Sequence, residues 1–247
     1  MAGGHVGQGA PGASASVSTG PAVDWVVASS NTGKIRELDA LLAPLGVRLR
    51  TQRELGIDDA DEPFATFVEN ALAKARHASR RAGMPGVADD SGICVPALGG
   101  SPGVRSARFG ADWIARRARG QGALADAVAD GAPAAGADRA TIDAFNNRCL
   151  LEATASLAAP VACFYYCAVV FVRHADDPCP IVADGAWHGT LARVACGANG
   201  FGYDPHFVPD GHAQSVAAMS PEAKNGISHR ALAIAGLVGG LRRHRLA

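Results

Sequence analysis

The order of apolar and polar positions predicts alternating strands and helices from residue 23 onwards. An apolar run at 23–28 predicts a buried strand. Ile35, Leu38 and Leu42 follow at spacings of three and four, which predicts an amphipathic helix. Alternation over 47–51 then predicts a half-buried strand. This succession of strand, polar turn and helix is typical of an α/β domain.

Polar caps mark the starts of three further helices. Thr66 and Glu69 form a capping box ahead of a stripe of alanines, which predicts a helix ending at Gly83. The other face of this helix carries three polar side chains: Asn70, Lys74 and His77. Ser220 precedes a proline at a first helical position, and Ser228 opens the last helix.

Three more apolar segments predict strands. The segment 86–88 predicts a short strand that runs into a tight acidic turn over 89–92. The run 161–172 predicts a buried strand, and a second strand is predicted around 181–191. The connection between these two is short enough for a hairpin, so the predicted sheet includes an antiparallel pair.

Composition and charge exclude several classes of protein. The 247-residue chain is 48% hydrophobic and 19% charged, unlike a disordered or coiled-coil protein. The balance of 23 Lys and Arg against 23 Asp and Glu argues against bulk attraction to nucleic acid or to an anionic membrane. The longest apolar run has 12 residues, whereas a membrane span needs about 20. We therefore expect neither nucleic acid nor membrane as a partner.

The cysteines and two segments rich in small residues give further predictions about the chain. The six cysteines form no C-x-x-C pair, which predicts free buried thiols in a cytoplasmic protein. Residues 1–22 include 14 Gly, Ala or Ser and predict a flexible tail. Residues 110–140, in which 17 of 31 are Ala or Gly, predict a mobile insertion without chemistry. Residues 23–247 are expected to form one domain around this insertion.

Cations at the starts of two predicted helices point to an anionic ligand. Lys34, His229 and Arg230 lie in first turns, where the helix dipole disfavours positive charge. A bound anion would use the side chains and the free amides together. The S-S-N-T-G-K loop at 29–34 lacks the glycine spacing of a Walker A loop. It still predicts a phosphate cradle of donors followed by a glycine: Ser29, Ser30, Asn31, Thr32 and Gly33.

Acidic residues and an aromatic turn offer ligands for a metal ion and a surface for a planar base. Asp89 and Asp90, with Asp61 and Glu62, offer the hard oxygen ligands that Mg²⁺ prefers. Since adjacent strand residues point to opposite faces, we expect only one of Asp89 and Asp90 to face the ligand. The turn G-F-G-Y-D-P at 200–205 is suited to stacking a planar base.

Six ordered motifs resemble the Ham1 family of purine nucleoside triphosphate pyrophosphatases, the ITPases. They are A-S-S-N-T-G-K-I-R-E-L, F-V-E-N-A-L-A-K-A-R-H-A, A-D-D-S-G, L-G-G-S-P-G-V-R-S-A-R, G-F-G-Y-D-P and E-A-K-N-G-I-S-H-R. The resemblance implies an α/β fold with an elongated mixed central sheet, flanking helices and two lobes around a substrate cleft, in a homodimer. It also implies Mg²⁺-dependent hydrolysis of ITP, dITP or XTP to the monophosphate and pyrophosphate, which cleanses the nucleotide pool.

The same resemblance implies roles for individual residues. Asp90 would accept a proton and bind the metal, with Glu62 or Asp61 completing the metal site. Residues 29–34 and Lys74 would hold phosphates, and Ser91 would contact the substrate. The nucleotide would be held by seven further residues: Phe201, Gly202, Tyr203, Asp204, Lys224, His229 and Arg230. A donor such as Arg230 or a backbone N–H would select a 6-keto base over adenine.

Two other functions remain open from the sequence. Ser29 and Ser30 stand where the family usually has Thr-Gly, which leaves room for a module that binds purine triphosphates without turnover. A Maf-like pyrophosphatase of other nucleotides is the second alternative, although the complete A-D-D-S-G and S-H-R motifs weigh against it.

Overall fold

A computed structural model describes residues 23–120 and 132–246. Within them, six strands form one mixed sheet in the order β2-β1-β3-β4-β5-β6, with β1, β2 and β3 parallel and the rest antiparallel. The strands are β1 (Val23–Val27), β2 (Val47–Thr51), β3 (Gly86–Cys94), β4 (Val161–Val172), β5 (Ile181–Leu191) and β6 (Phe207–Pro209). The predicted hairpin of β4 and β5 is confirmed.

Helices cover both faces of this sheet. They are α1 (Thr32–Leu42), α2 (Phe67–Ala82), α3 (Phe109–Gly120), α4 (Arg139–Ala153), α5 (Pro221–Ile227) and α6 (His229–Arg243). The predicted caps at Thr66, Ser220 and Ser228 are confirmed, since each side-chain oxygen accepts an N–H from the first turn that follows. Helix α2 packs on β3 and β4 from one side, while α6 packs on β4 and β5 from the other and contacts α1.

The apolar residues gather into three clusters that divide the molecule into two lobes. One lobe has a core on each face of the sheet, under α2 and under α1 with α6. The other lobe packs α3 and α4 against the far ends of β4 and β5. Because β4 spans 12 residues, or about 40 Å, it runs through both lobes and joins them. The predicted α/β class with a mixed, elongated sheet is confirmed.

The segment predicted as an acidic turn is instead the middle of β3. Asp89, Asp90, Ser91 and Gly92 pair in unbroken register with 166–169 of β4. Asp and Gly favour turns in isolation, but the ladder to β4 overrides that local preference. A Cβ on Gly92 would lie 2.3 Å from the Ser106 hydroxyl, so glycine here permits close packing of β3 on the following loop.

The first part of the Ala/Gly-rich segment is helical, whereas the sequence predicted a mobile insertion over 110–140. Residues 110–120 belong to α3, where Phe109 is buried and stacks on Trp113. The N–H of Gly110 also donates to the Asn146 amide oxygen at 2.8 Å, which ties α3 to α4. Residues 139 and 140, at the other end of the predicted insertion, begin α4. Residues 1–22 and 121–131 lie outside the described residues, so the tail and that middle part of the insertion stay predictions.

The six cysteines differ in their burial. Cys94, Cys149, Cys163 and Cys167 are buried as predicted, whereas Cys179 and Cys196 are exposed because they lie in loops.

Over residues 23–120 and 132–246, we find no helix with the length and apolar character needed to cross a membrane.

Candidate active site

A cleft of about 400 Å³ opens beside β3, between the two lobes. Sixteen of the eighteen predicted site residues line it: Ser29, Ser30, Asn31, Lys34, Asp61, Glu62, Lys74, Asp90, Ser91, Phe201, Gly202, Tyr203, Asp204, Lys224, His229 and Arg230. The two others flank the cleft. Thr32 is exposed at the start of α1, and Gly33 packs against the ring of Phe201.

The loop between β1 and α1 is held by its own side chains. Asn31 caps α1, and its amide oxygen accepts the N–H groups of Gly33 at 2.9 Å and Lys34 at 3.2 Å. The hydroxyl of Ser29 accepts the N–H of Asn31 at 3.2 Å. Asn31 therefore already satisfies two of the amides predicted to face phosphate, and an anion at this helix end has to share or displace them.

Asp90 lies on the α2 side of β3, within a cluster of polar side chains. Lys74 donates to Asp90 at 3.3 Å and to Glu62 at 2.8 Å, so one ammonium group joins the two carboxylates. The amide of Asn70 donates to the other Asp90 oxygen at 3.2 Å. Asp61 lies beside Glu62 at the cleft and is exposed.

Burial raises the pKa of Asp90 above its usual range, and the neighbouring carboxylates of Glu62 and Asp89 add to the effect of burial. Lys74 works in the opposite direction without cancelling the shift. A carboxylate with a raised pKa is a stronger proton acceptor than an exposed one, which suits a general base.

Asp89 lies on the opposite face of β3 and is buried with the cations of α1 and α6. Its Oδ2 accepts hydrogen bonds from Arg230 at 2.9 and 3.3 Å and forms an ion pair with Lys34 at 3.2 Å. Burial alone would raise the pKa of Asp89, but Lys34 and Arg230 outweigh it and hold the pKa well below its usual range. The prediction that only one of the two aspartates faces the cleft agrees with this geometry.

Arg230 is largely occupied within the protein. Its guanidinium donates to Asp89, to Glu37 and to the hydroxyl of Ser91, and these bonds use four of its five N–H groups. The side chain is 1% exposed. At most one N–H of Arg230 therefore remains for a ligand, which restricts the base-reading role that the sequence suggests.

The loop that carries Phe201 is fixed by buried polar groups. The carboxylate of Asp204 accepts the Phe201 N–H at 3.0 Å, the Lys224 ammonium at 2.7 Å and the Tyr165 hydroxyl at 3.1 Å. Tyr203 has its ring in the core and donates its hydroxyl to the Ser106 carbonyl. Tyr203 and Asp204 thus support the loop, while the Phe201 ring is left half-buried at the cleft with the Lys224 ammonium 4.6 Å from its centre.

His229 faces the cleft as a neutral imidazole. Its ring stacks on Tyr165 with centroids 4.6 Å apart. Burial lowers the pKa of His229 well below its usual value, and the nearby Arg230 and Lys224 lower it further. Among the described residues its buried Nδ1 has no hydrogen-bond partner. This nitrogen is therefore a buried polar atom whose hydrogen-bonding capacity the described residues leave unused.

The lowered pKa of His229 predicts a pH-dependent stability. Below about pH 6.5 the unfolded chain binds a proton at this residue that the folded chain does not, so acidification favours unfolding. We expect His229 to cost the folded state up to about 1.4 kcal/mol for each pH unit below 6.5. Urea unfolding at pH 5 and pH 7 should show a smaller drop in His229→Phe than in wild type. The matched change His212→Gln, at an exposed histidine, should leave the drop unaltered.

Sequence reasoning missed several residues of the cleft. Arg108, Arg139 and Asp143 line the cleft without having been predicted. Arg108 donates to Glu62, and Arg139 pairs with Asp143 at 2.9 Å. Glu37 lies behind the cleft and bonds Lys224 and Arg230. No capping or strand pattern distinguishes these residues, because their partners are distant in sequence. The one available signal for Arg108 was its place in the motif at 98–108.

A model of the Ham1 family matches residues 25–134 and 127–239. The chain belongs to the Ham1 family. It is 49% identical over 216 residues to a dITP/XTP pyrophosphatase from Burkholderia pseudomallei, covering 87% of this chain and 92% of that protein. It is 50% identical over 217 residues to a dITP/XTP pyrophosphatase from Ralstonia nicotianae, covering 88% and 96%.

Solved Ham1 structures share this fold. A HAM1 protein from Coxiella burnetii superposes with a TM-score of 0.71 at 34% identity, covering 90% of this chain and 99% of that one. The Staphylococcus aureus Ham1 protein gives a TM-score of 0.68 at 28% identity, with coverage of 90% and 99%. The two stretches matched by the Ham1 model overlap at 127–134, within the Ala/Gly-rich segment.

Proposed function

We propose that this chain hydrolyses ITP, dITP and XTP to the nucleoside monophosphate and pyrophosphate, and so removes deaminated purines from the nucleotide pool. The observation that carries the proposal is Asp90, a buried carboxylate of raised pKa that faces a cleft beside Lys74. Relatives about 49% identical over most of their length bear the name dITP/XTP pyrophosphatase, which supports the same reaction.

The charges of the cleft support a requirement for a divalent cation. Six cationic side chains and six carboxylates line it, and Asp89 and Glu37 bond to the cations from behind. A triphosphate would add several negative charges to a site with no positive surplus. We propose that Mg²⁺ provides the missing charge.

The donor set fits this ion. Asp90 and Glu62 both contact the Lys74 ammonium, so the two carboxylates share one part of the cleft, and Asp61 precedes Glu62 in the sequence. Among the described residues no three His, Cys, Asp or Glu side chains converge on one point, as a complete protein cage would need. Mg²⁺ commonly takes one or two carboxylates and completes its shell with water and phosphates. When bound, it would neutralise charge on the phosphate oxygens.

The residues of the chain divide the remaining work. Asp90 would orient the attacking water and accept its proton, since its raised pKa favours proton uptake. Lys34, Lys74 and Lys224 would offset the charge of the phosphates. Ser29, Ser30, Asn31 and Thr32 would supply hydrogen bonds at the end of α1. Ser91 would contact the substrate from β3.

Phe201 and His229 line the cleft and would select the base. The Phe201 ring would stack on the base, a contact worth about 1–3 kcal/mol. A 6-keto base would accept a hydrogen bond from His229 or from the one remaining N–H of Arg230. Adenine presents a donor at the same position, so the protein donor would be left unpaired if ATP bound.

Gly33 tests the stacking role of Phe201. A Cβ at position 33 would lie 2.6 Å from the Phe201 ring, so Gly33→Ala should displace the ring from the cleft. We expect KM for ITP to rise by roughly five- to 150-fold, the equivalent of losing the stacking contact, with a smaller change in kcat. The control is Gly226→Ala, where a Cβ meets no atom within 4 Å. Steady-state kinetics with equal KM in wild type and Gly33→Ala would contradict this role.

A substrate panel tests the proposed function. Initial rates with ITP, XTP, dITP, GTP, ATP and dTTP in the presence of Mg²⁺ should favour the first three over ATP by as much as about 10⁴-fold in kcat/KM. Tight ITP binding without turnover would instead support a binding module, and preferential turnover of dTTP would support a Maf-like activity. The homodimer and the cytoplasmic location stay predictions.

A further inference from the structure

We infer that Asn70 is a positioning residue that fixes the Glu62 loop against Asp90. The inference rests on the proposed function, because it concerns how the two carboxylates of that site are assembled. Asn70 lies in the first turn of α2 and is fully buried, although it carries a polar side chain. A buried amide is stable only where its hydrogen bonds are made, so its partners indicate what it holds.

The donor end of the Asn70 amide contacts Asp90. Its Nδ2 donates to Asp90 Oδ2 at 3.2 Å, while Lys74 and the Ser91 N–H approach Oδ1 at 3.3 and 3.1 Å. The two oxygens of Asp90 are therefore held by different groups. Because the Asn70 amide is planar and its helix is packed on β3, this bond restricts the rotation of the Asp90 carboxylate.

The same amide also holds the loop that carries Glu62. Asn70 Oδ1 accepts the N–H of Phe64 at 3.1 Å, and Nδ2 donates to the Phe64 carbonyl at 3.3 Å. Phe64 lies two residues after Glu62, and 43% of Phe64 is exposed. Burial of the Phe64 ring therefore does little to fix this part of the loop. The two bonds from Asn70 hold the loop at Phe64, while Arg108 holds it two residues earlier by donating to the Glu62 carbonyl at 3.3 Å.

Lys74 cannot replace this function. It contacts the Glu62 and Asp90 carboxylates directly, but an ammonium group on a flexible stem attracts charge without setting an angle. Asn70 joins a backbone amide to a carboxylate through one rigid plane. Since a misplacement of about 1 Å can cost roughly 10²-fold in rate, this geometry matters for a reaction that uses both carboxylates.

Hydrogen exchange and kinetics of Asn70→Ala test the inference. The Phe64 amide should exchange at least about tenfold faster than in wild type, measured without nucleotide or metal. With ITP and Mg²⁺, kcat should fall by about 10²-fold while KM changes by less than about threefold, because the side chains placed at the phosphates and the base are untouched.

Two further variants separate positioning from stability. Asn70→Asp keeps an acceptor for the Phe64 N–H but replaces the donor to Asp90 with a repelling carboxylate. It should keep most of the Phe64 protection and lose at least as much kcat as Asn70→Ala. Asn146→Ala removes a similarly buried amide that holds the Gly110 N–H and the Ala107 carbonyl and, among the described residues, forms no hydrogen bond with Asp90 or Phe64. It should lower the Tm and leave Phe64 exchange unchanged.

Several outcomes would overturn the inference: unchanged Phe64 exchange in Asn70→Ala, wild-type kcat in either Asn70 variant, or the same faster Phe64 exchange in Asn146→Ala. The exchange measurement needs no turnover. A wild-type chain that is inactive on ITP would therefore overturn the proposed function, and Phe64 exchange would still decide whether Asn70 anchors the loop.

Discussion

Asp90→Asn is expected to hydrolyse ITP about 10²- to 10⁴-fold more slowly than wild type, the range that a general base contributes. Asparagine has nearly the same shape but accepts no proton at neutral pH. The change should lower the Tm only modestly, although the amide NH₂ replaces an oxygen that accepts a hydrogen bond from Asn70 or from Lys74 and Ser91. Because burial raises the pKa of Asp90, ionising this group costs the folded state free energy at neutral pH, and the amide avoids that cost.

Steady-state kinetics and thermal unfolding of the same preparation check this expectation. The control is Asp39→Asn, which changes an exposed carboxylate on α1 and should leave kcat and Tm unaltered. If Asp90→Asn kept more than about a tenth of the wild-type kcat, Asp90 would not be the base. A large fall in Tm would show that the loss of activity reflects unfolding.

Asp89→Asn is expected to have the opposite profile, with its main effect on stability. This change removes the carboxylate that Arg230 and Lys34 share in the interior and leaves buried positive charge under-compensated. Breaking a buried pair in this way typically costs about 3–5 kcal/mol of unfolding free energy. Urea unfolding at pH 7 measures the loss. The control is Asp24→Asn, whose partners Arg48 and Arg50 lie at the surface, and it should cost far less.

The pH dependence gives a second test of Asp89. Its pKa is held well below the usual value, so its stabilising effect is complete above the unfolded pKa of about 3.9 and is lost as the pH falls below that value. Unfolding curves between pH 5 and pH 2.5 should therefore fall less steeply in Asp89→Asn than in wild type. Equal slopes would show that Asp89 is not a low-pKa partner of the two cations.

Sequence reasoning predicted the elements of this fold well because their signals are local. Caps at Thr66, Ser220 and Ser228 and the apolar run of β4 each depend on neighbours within a few residues. The prediction of a turn at 89–92 was wrong because the interaction that decides this segment is not local. Four residues that favour a turn became a strand because β4 pairs with them from about 75 positions away, and no local pattern reports that pairing.

The candidate site shows the same limit. The unfavourable cations at helix starts, Lys34 and Arg230, do line the cleft, but the charges that they contact in the structure are Asp89 and Glu37. Periodicity placed Asn70 and Lys74 on one face of α2, yet could not show that Asp90 lies opposite them. Which carboxylate balances which cation is decided by packing between distant elements, so it becomes visible only in the folded chain.

The identity of the phosphate product tests the central claim most directly. Purified protein is incubated with ITP and Mg²⁺, and ³¹P NMR follows the nucleotide and phosphate signals to completion. The proposed reaction predicts IMP and pyrophosphate in equal amounts, with neither IDP nor orthophosphate. Asp90→Asn should convert no more than about a twentieth of the ITP on the same timescale, as a rate at least about 10²-fold lower requires. Formation of IDP and orthophosphate by the wild-type protein would contradict it.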